Sequence, residues 1–333
     1  MSLTDCFLVT GGLGCIGAET TKWLLRNTTG KVVICGRDVH AARVERVFHD
    51  IDVTRLTVLA IDVTDQGLLS DTLAEHAITH VVHLAALQTP DCNQHRNLGM
   101  QINLGGTQNL IEAMKSHLSQ IQRFVFASSI AVYGPRDTYP AGRVPLQVEP
   151  HPVNVYGAWK LAGENITRIF TEETGIDAIS VRPGVLFGPG RDAGLTSTPT
   201  TAMKSVALGI AYEIPFENRQ DYLYAPDVGA AFGNAVVEPF TGYSTFTLPS
   251  HTVDTGQIVQ AITQAAAALG IDQQCNLTIG NQQVPFICDL EYQNFCEAFP
   301  KTPHTRLDEA VFLSLQSFID QVDRGWIGKE MIA

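Results

Sequence analysis

Tyr156 and Lys160 stand four positions apart in the segment Tyr156-Gly157-Ala158-Trp159-Lys160, and side chains at that spacing share one face of a helix. A phenol beside an ammonium is a proton-transfer pair. Free tyrosine titrates near 10, so lowering it by about 3 units for work at neutral pH takes about 4 kcal/mol. A neighbouring cation supplies part of that by stabilising the phenolate. Ser129, in Ser128-Ser129-Ile130-Ala131-Val132-Tyr133-Gly134, offers a hydroxyl to hold a substrate oxygen while Tyr156 moves the proton. A tyrosine and a lysine at this spacing occur on many amphipathic helices with no chemical role, so their meaning rests on what accompanies them.

What accompanies them is a glycine-rich turn, Thr10-Gly11-Gly12-Leu13-Gly14-Cys15-Ile16-Gly17. Gly11 permits a tight turn, Gly14 lets a diphosphate approach the backbone, and Gly17 lets the following helix sit close to the strand. The first N–H groups of that helix, at Cys15 and Ile16, then face a diphosphate with the helix's partial positive charge. The plain alternative is a strand–helix turn that merely tolerates glycine; its position directly after the apolar run Phe7-Leu8-Val9 favours a dinucleotide. An oxidised nicotinamide ring would supply the remaining stabilisation of a Tyr156 phenolate.

The dinucleotide's ribose is read at the end of the second strand, where an acidic side chain accepts from the 2′-hydroxyl and repels a 2′-phosphate. Here Cys35-Gly36-Arg37-Asp38 puts Gly36 at that position and Arg37 after it. A guanidinium pairs with a phosphate in bidentate fashion, so NADP is the expected cofactor. NAD remains possible if Arg37 is a surface arginine and Asp38 serves the ribose. Asp62-Val63, after the third strand, places a carboxylate where it can accept from the adenine amino group.

The elements that must position these groups can be read from hydrophobic rhythm. Apolar runs at 7–9, 32–34, 56–61, 81–84, 124–126 and 178–181 alternate with helical stretches at 15–26, from about 39, at 94–117 and at 154–174. Near-continuous apolar strands separated by helices mean a parallel sheet covered on both faces. The expected fold class is α/β: a doubly wound parallel sheet with a smaller C-terminal α/β lobe. After Pro183 the rhythm breaks at Pro183-Gly184 and Gly188-Pro189-Gly190, both turn signals. Further helices are expected at 255–269 and 307–322. The expected division is a nucleotide-binding domain over 1–183, to which the chain returns around 221–248, and a substrate lobe over 184–333.

Composition bounds the partners. Among 333 residues 45% are hydrophobic and 17% charged, enough apolar surface for a sizeable core. The net charge of −12 repels phosphate backbones, which argues against nucleic acid. No apolar stretch is long enough to span a bilayer and no signal peptide is evident at Met1–Asp5. Seven widely spaced cysteines without a C-x-x-C pair suit free thiols in a reducing compartment, so the cytoplasm is the expected location. His76 and His80 lack a third ligand, and no metal is expected.

Taken together these motifs resemble the extended short-chain dehydrogenases/reductases of the NAD(P)-dependent epimerase/dehydratase family, over nearly the whole chain. The resemblance rests on Thr10–Gly17, His83-Leu84-Ala85-Ala86, Asn103-Leu104-Gly105-Gly106-Thr107, Ser128–Gly134, Tyr156–Lys160, Arg182-Pro183, and Asp221-Tyr222 through Asp227-Val228. It implies that Leu84, Ala85, Ala86 and Pro183 line the cofactor, and that Asn103 helps order the site beside Ser129, Tyr156 and Lys160. It also implies that Lys160 binds the nicotinamide ribose. It further implies a homodimer packed through 94–117 and 154–174 as a four-helix bundle. His83 reads as a strand-end structural residue.

Three departures bear on the substrate. Sugar-nucleotide dehydratases of this family carry Asp-Glu after the catalytic hydroxyl residue, where this chain has Ile130-Ala131, so elimination is not expected. Nucleotide-sugar epimerases usually place an asparagine at the position of Val185 and often an arginine at that of Gln220. A diphosphate loses both partners here, unless Arg191 or Arg219 substitutes. Leu195-Thr196-Ser197-Thr198 offers hydroxyls instead, similar to the family's dehydrogenases of small polar substrates. The expected substrate side is therefore Gln88, Ser129, Val185, Arg191, Thr196, Ser197 and Thr198, around a small polyhydroxylated or hydroxy-acid substrate. The runner-up is a sugar or nucleotide-sugar epimerase with tightly bound NAD, which returns the hydride instead of consuming cofactor. A cofactor-binding regulator without catalysis is disfavoured by the intact Ser129, Tyr156 and Lys160.

Overall fold

The computed structural model describes residues 5–194, 196–282, 284 and 287–332. Seven parallel strands form the main sheet: β1 (Cys6–Thr10), β2 (Lys31–Gly36), β3 (Leu56–Ala60), β4 (His80–His83), β5 (Arg123–Ala127), β6 (Asp177–Arg182) and, entering late, the strand Tyr243–Thr247. Their order across the sheet is Tyr243–Thr247, β6, β5, β4, β1, β2, β3, and every pairing is parallel. The doubly wound sheet expected from the apolar rhythm is what the chain builds.

Alternation along the strands feeds two cores. Phe7 and Val9 of β1 face helix α1 (Cys15–Asn27) in one, while Cys6 and Leu8 face the other side. That second core contains α3 (Gln66–Glu75), which follows α2 (Ala41–Phe48). A cap signal marks α3: Asp65 accepts from Leu68 N at 2.9 Å. Sequence rhythm missed α3 because its mixed composition gives little amphipathic contrast.

The stretch 94–117, expected as one helix, is broken. It comprises α4 (Thr89–Gln94), α5 (Arg96–Met100), a π turn Gln101–Gly105 and α6 (Gly106–Lys115). The π turn carries Asn103 inward, where its side chain takes both backbone groups of Leu87. Such bulges commonly mark functional positions. The helix expected at 154–174 is α7 (Val155–Thr174), capped by Asn154.

Beyond β6 the chain forms β7 (Val185–Phe187), α8 (Thr198–Ala207), β8 (Tyr212–Phe216) and β9 (Arg219–Tyr224). It then returns to the main sheet through α9 (Ala225–Val237) and β10 (Tyr243–Thr247). β11 (His251–Asp254), α10 (Thr255–Ala268), β12 (Leu277–Gln282), α11 (Gln293–Ala298) and α12 (Leu307–Asp323) follow. β11, β9 and β7 form one small sheet, and β12 pairs with β8. A third core, including Met203, Ile214, Tyr222, Ile262 and Phe318, holds this lobe together. No helix among the described residues is long and apolar enough to cross a membrane.

Candidate active site

At the carboxyl ends of β1, β4, β5 and β6 lies a cavity of about 570 Å³, beside the point where strand order reverses between β1 and β4. Ligands of open α/β sheets bind at such switch points. Gly11, Gly14, Cys15, Ile16 and Gly17 form one wall. Gly11 takes a left-handed φ of 68°. A Cβ on Gly17 would come within 2.1 Å of the Gly11 carbonyl oxygen, so the helix can start this close to the turn only with glycine there. Gly14 is the N-cap of α1 and no side chain caps it, which leaves the first N–H groups free for an anion. The turn therefore fits a dinucleotide's diphosphate.

Leu84, Ala86 and Pro183 also line the cavity, whereas Ala85 stands behind it, its N–H donating to Thr10 Oγ1 at 3.2 Å. His83 is buried between the Thr10 hydroxyl at 2.7 Å and the Thr107 hydroxyl at 3.1 Å. Burial, with a smaller push from Lys160, brings its imidazole down to about 3. It is a neutral strand-end residue.

Tyr156, in the first turn of α7, and Lys160, one turn on, both reach the cavity, as does Ser129 at the end of β5. Asn154 fixes the start of α7 by accepting from Gly157 N at 2.9 Å. Burial pushes the Tyr156 phenol up, while a hydrogen bond with Ser129 and the charge of Arg191 pull it down. The expected lowering by Lys160 is absent. The Lys160 ammonium donates to the Ala127 carbonyl at 2.6 Å and lies 5.8 Å from the centre of the Tyr156 ring. Its own value falls from 10.5 to about 8 because it is buried. By itself the site holds Tyr156 protonated.

Behind these groups, Glu164 on α7 takes Arg182 of β6 with two bonds of 2.7 Å and also accepts from Ser128. Arg182 donates further to the Tyr133 hydroxyl at 2.6 Å. This buried network ties α7 to the loop that carries Ser129. Asn103 is also buried and stays outside the cavity lining. Its amide accepts from Leu87 N at 2.7 Å and donates to Leu87 O at 2.9 Å, so it positions the loop leading to Gln88.

On the substrate side Gln88, Ser129, Val185, Arg191 and Thr196 line the cavity, while Ser197 and Thr198 do not. Ser197 donates back to Gly194 O at 2.8 Å, and Thr198 is drawn into the first turn of α8. The expected hydroxyl run thus contributes only Thr196, because entry into a helix turns the other two away; Leu195 lies outside the described residues. Gln220 is fully buried and Arg219 pairs with Asp289 at 3.0 Å; neither lines the cavity.

Arg37, Asp62 and Val63 lie beyond the cavity lining, past the ends of β2 and β3. Arg37 is exposed. Asp62 accepts from Thr64 N at 3.0 Å and from its hydroxyl at 2.8 Å. Asp38 is engaged by Arg43 at 2.8 Å, and Arg43 also donates to Leu13 O in the glycine turn at 3.2 Å. Sequence reading missed Arg43, since nothing local shows α2 folding back onto the turn. It also missed Ile287, which the small lobe brings against the cavity.

The model of the NAD-dependent epimerase/dehydratase family matches residues 7–275. A UDP-glucose 4-epimerase of Schizosaccharomyces pombe is 35% identical over 191 residues, 55% of this chain and 51% of its own length. A D-erythronate dehydrogenase of Cupriavidus necator is 28% identical over 215 residues, 62% of this chain and 61% of its own. The chain spans about half the length of the curated relatives it matches. The crystal structure of a UDP-glucose 4-epimerase from Thermotoga maritima, solved with UDP-glucose, superimposes with a TM-score of 0.80 at 20% identity, over 95% of this chain and 99% of that one. At that identity the likeness concerns the fold.

Proposed function

Because the chain belongs to the NAD-dependent epimerase/dehydratase family, we propose that it is an NAD(P)-dependent oxidoreductase of a small polyhydroxylated or hydroxy-acid substrate, with Tyr156 as acid/base. The observation that carries this is the meeting of Ser129 and Tyr156 in the cavity that the glycine turn opens into. The nicotinamide, when bound, supplies the hydride exchange. Tyr156 passes the proton at the substrate oxygen, Ser129 orients that oxygen, and Lys160 stands one helical turn on, held by the Ala127 carbonyl. Removing Tyr156's hydroxyl tests it: Tyr156→Phe should lose about 10²–10⁴-fold in turnover with cofactor affinity nearly unchanged. A fully active variant would refute the assignment.

Two finer features belong to the same proposal. NADP is preferred over NAD: among the described residues no atom approaches the Cβ position of Gly36, Arg37 is exposed, and Arg43 stands between Asp38 and the glycine turn. The active form is a homodimer, supported by exposed Leu98 and Met100 on α5 and Ile169 on α7.

A second reading is sugar epimerisation with retained NAD, favoured by the 35% identical relative. Cofactor consumption separates the two: a dehydrogenase turns over NAD(P) in step with substrate, and an epimerase leaves it unchanged.

A further inference from the structure

We infer that Arg191 selects the substrate, and that it selects a carboxylate: the substrate is a small hydroxy acid whose carboxylate lies against Arg191 while its hydroxyl meets Ser129 and Tyr156. This rests on the proposal that Tyr156 moves the proton.

The charge balance of the cavity carries the inference. Among the described residues no aspartate or glutamate lines it, and two cations do, Lys160 and Arg191. Lys160 is spent on the Ala127 carbonyl. Arg191 makes no ion pair among the described residues; the adjacent Asp192 is turned away to Lys204 at 2.5 Å. The contacts of Arg191 are neutral: Gln88 Oε1 at 3.0 Å and Thr196 Oγ1 at 2.9 Å. Among the described residues its Nε is buried without a partner. A cation removed from water without a counter-charge is costly, and a ligand that brings the anion recovers that cost.

The geometry favours a carboxylate. A guanidinium has five N–H donors. Gln88 and Thr196 use one on each terminal nitrogen and so fix its plane, which leaves Nε and one N–H on each terminal nitrogen. Nε is buried, so the one remaining N–H on each terminal nitrogen is what a ligand carboxylate can take. Arg191 is also close enough for its charge to act on the Tyr156 phenol, so the recognised anion and the reacting hydroxyl belong to one small molecule.

The competing occupant is the dinucleotide's own diphosphate. The loop carrying Arg191 rests on the glycine turn, with Cys15 Sγ 3.7 Å from Pro189 O. The diphosphate already has the uncapped N-terminus of α1, while the Arg191 guanidinium is held by Gln88 and Thr196.

The test is steady-state kinetics and calorimetry on the dinucleotide-loaded enzyme, using three- to six-carbon aldonates, the matching polyols and UDP-glucose. We expect one or more aldonates to be preferred over the matching polyol. Arg191→Gln should raise the aldonate KM about 10²-fold and erase that preference, with Arg191→Lys intermediate and dinucleotide affinity unchanged. The inference is overturned if Arg191→Gln weakens the dinucleotide instead, if the preference survives in the variant, if no aldonate binds, or if UDP-glucose binds in the micromolar range through Arg191. Tyr156→Phe is run alongside. A dead Tyr156→Phe with an unaltered Arg191→Gln sinks this inference alone, whereas an active Tyr156→Phe sinks the reading beneath it.

Discussion

Lys160 shows what burial does to a single group. Its ammonium is taken from 10.5 to about 8, with a backbone carbonyl as its hydrogen-bond partner. Below about pH 8 folded and unfolded chains both hold the proton, and the fold carries the full cost of the buried charge, on the order of 3 kcal/mol. Between pH 8 and 10.5 the unfolded chain binds the proton that the folded one has released, so this group's contribution to stability rises with pH. Lys160→Met should therefore make the cofactor-free protein more stable at pH 7, with the advantage shrinking by pH 9.5. Urea denaturation at the two values checks this, and an unchanged or widened gap would contradict it. Arg37 is the opposite case, an exposed cation whose effect depends on a ligand. Titrating NADP and NAD against wild type and Arg37→Ala should show a wild-type preference for NADP that the variant loses. A wild type that prefers NAD would overturn the cofactor assignment.

At the scale of elements, α7 is the part on which the site depends, since its first two turns carry Tyr156 and Lys160. It is held to β6 by the Glu164–Arg182 pair, and through Ser128 to the end of β5. Both partners are buried, so removing one charge strands the other. Glu164→Gln should cost about 3–5 kcal/mol, read as a fall in the urea midpoint; a loss below about 1 kcal/mol would show the pair to be replaceable. The long helix expected before it illustrates a limit of periodicity. Its apolar positions were legible, but the π turn at Gln101–Gly105 was not, because it exists to bring Asn103 onto Leu87, a contact with another segment.

At the scale of the whole molecule, the α5–α7 region leaves Leu98 and Met100 about half exposed and Ile169 42% exposed. Apolar side chains this large on adjacent helices are what a subunit interface would cover. Sedimentation of the wild type should give a dimer, and a Met100→Glu, Ile169→Glu double variant should give a folded monomer. A monomeric wild type would remove the homodimer from the proposal.

Local sequence determined the strands, the glycine turn and the Tyr156–Lys160 spacing, because each is set by neighbours in the chain: side-chain alternation, the conformational freedom of glycine, and helical pitch. It also determined that the sheet is parallel, since buried apolar strands separated by helices leave no other arrangement. What faces the cavity was decided by tertiary structure. Thr196 faces it while Ser197 and Thr198 do not, because α8 begins there. Arg191 faces it because a loop beyond β7 folds back over the glycine turn, and Arg219 does not because Asp289, 70 positions along the chain, takes it. The protonation of Tyr156 was decided the same way. Sequence spacing placed an ammonium on its helix face, but the depth of the cavity sets desolvation, and desolvation depends on every chain segment that closes around the phenol.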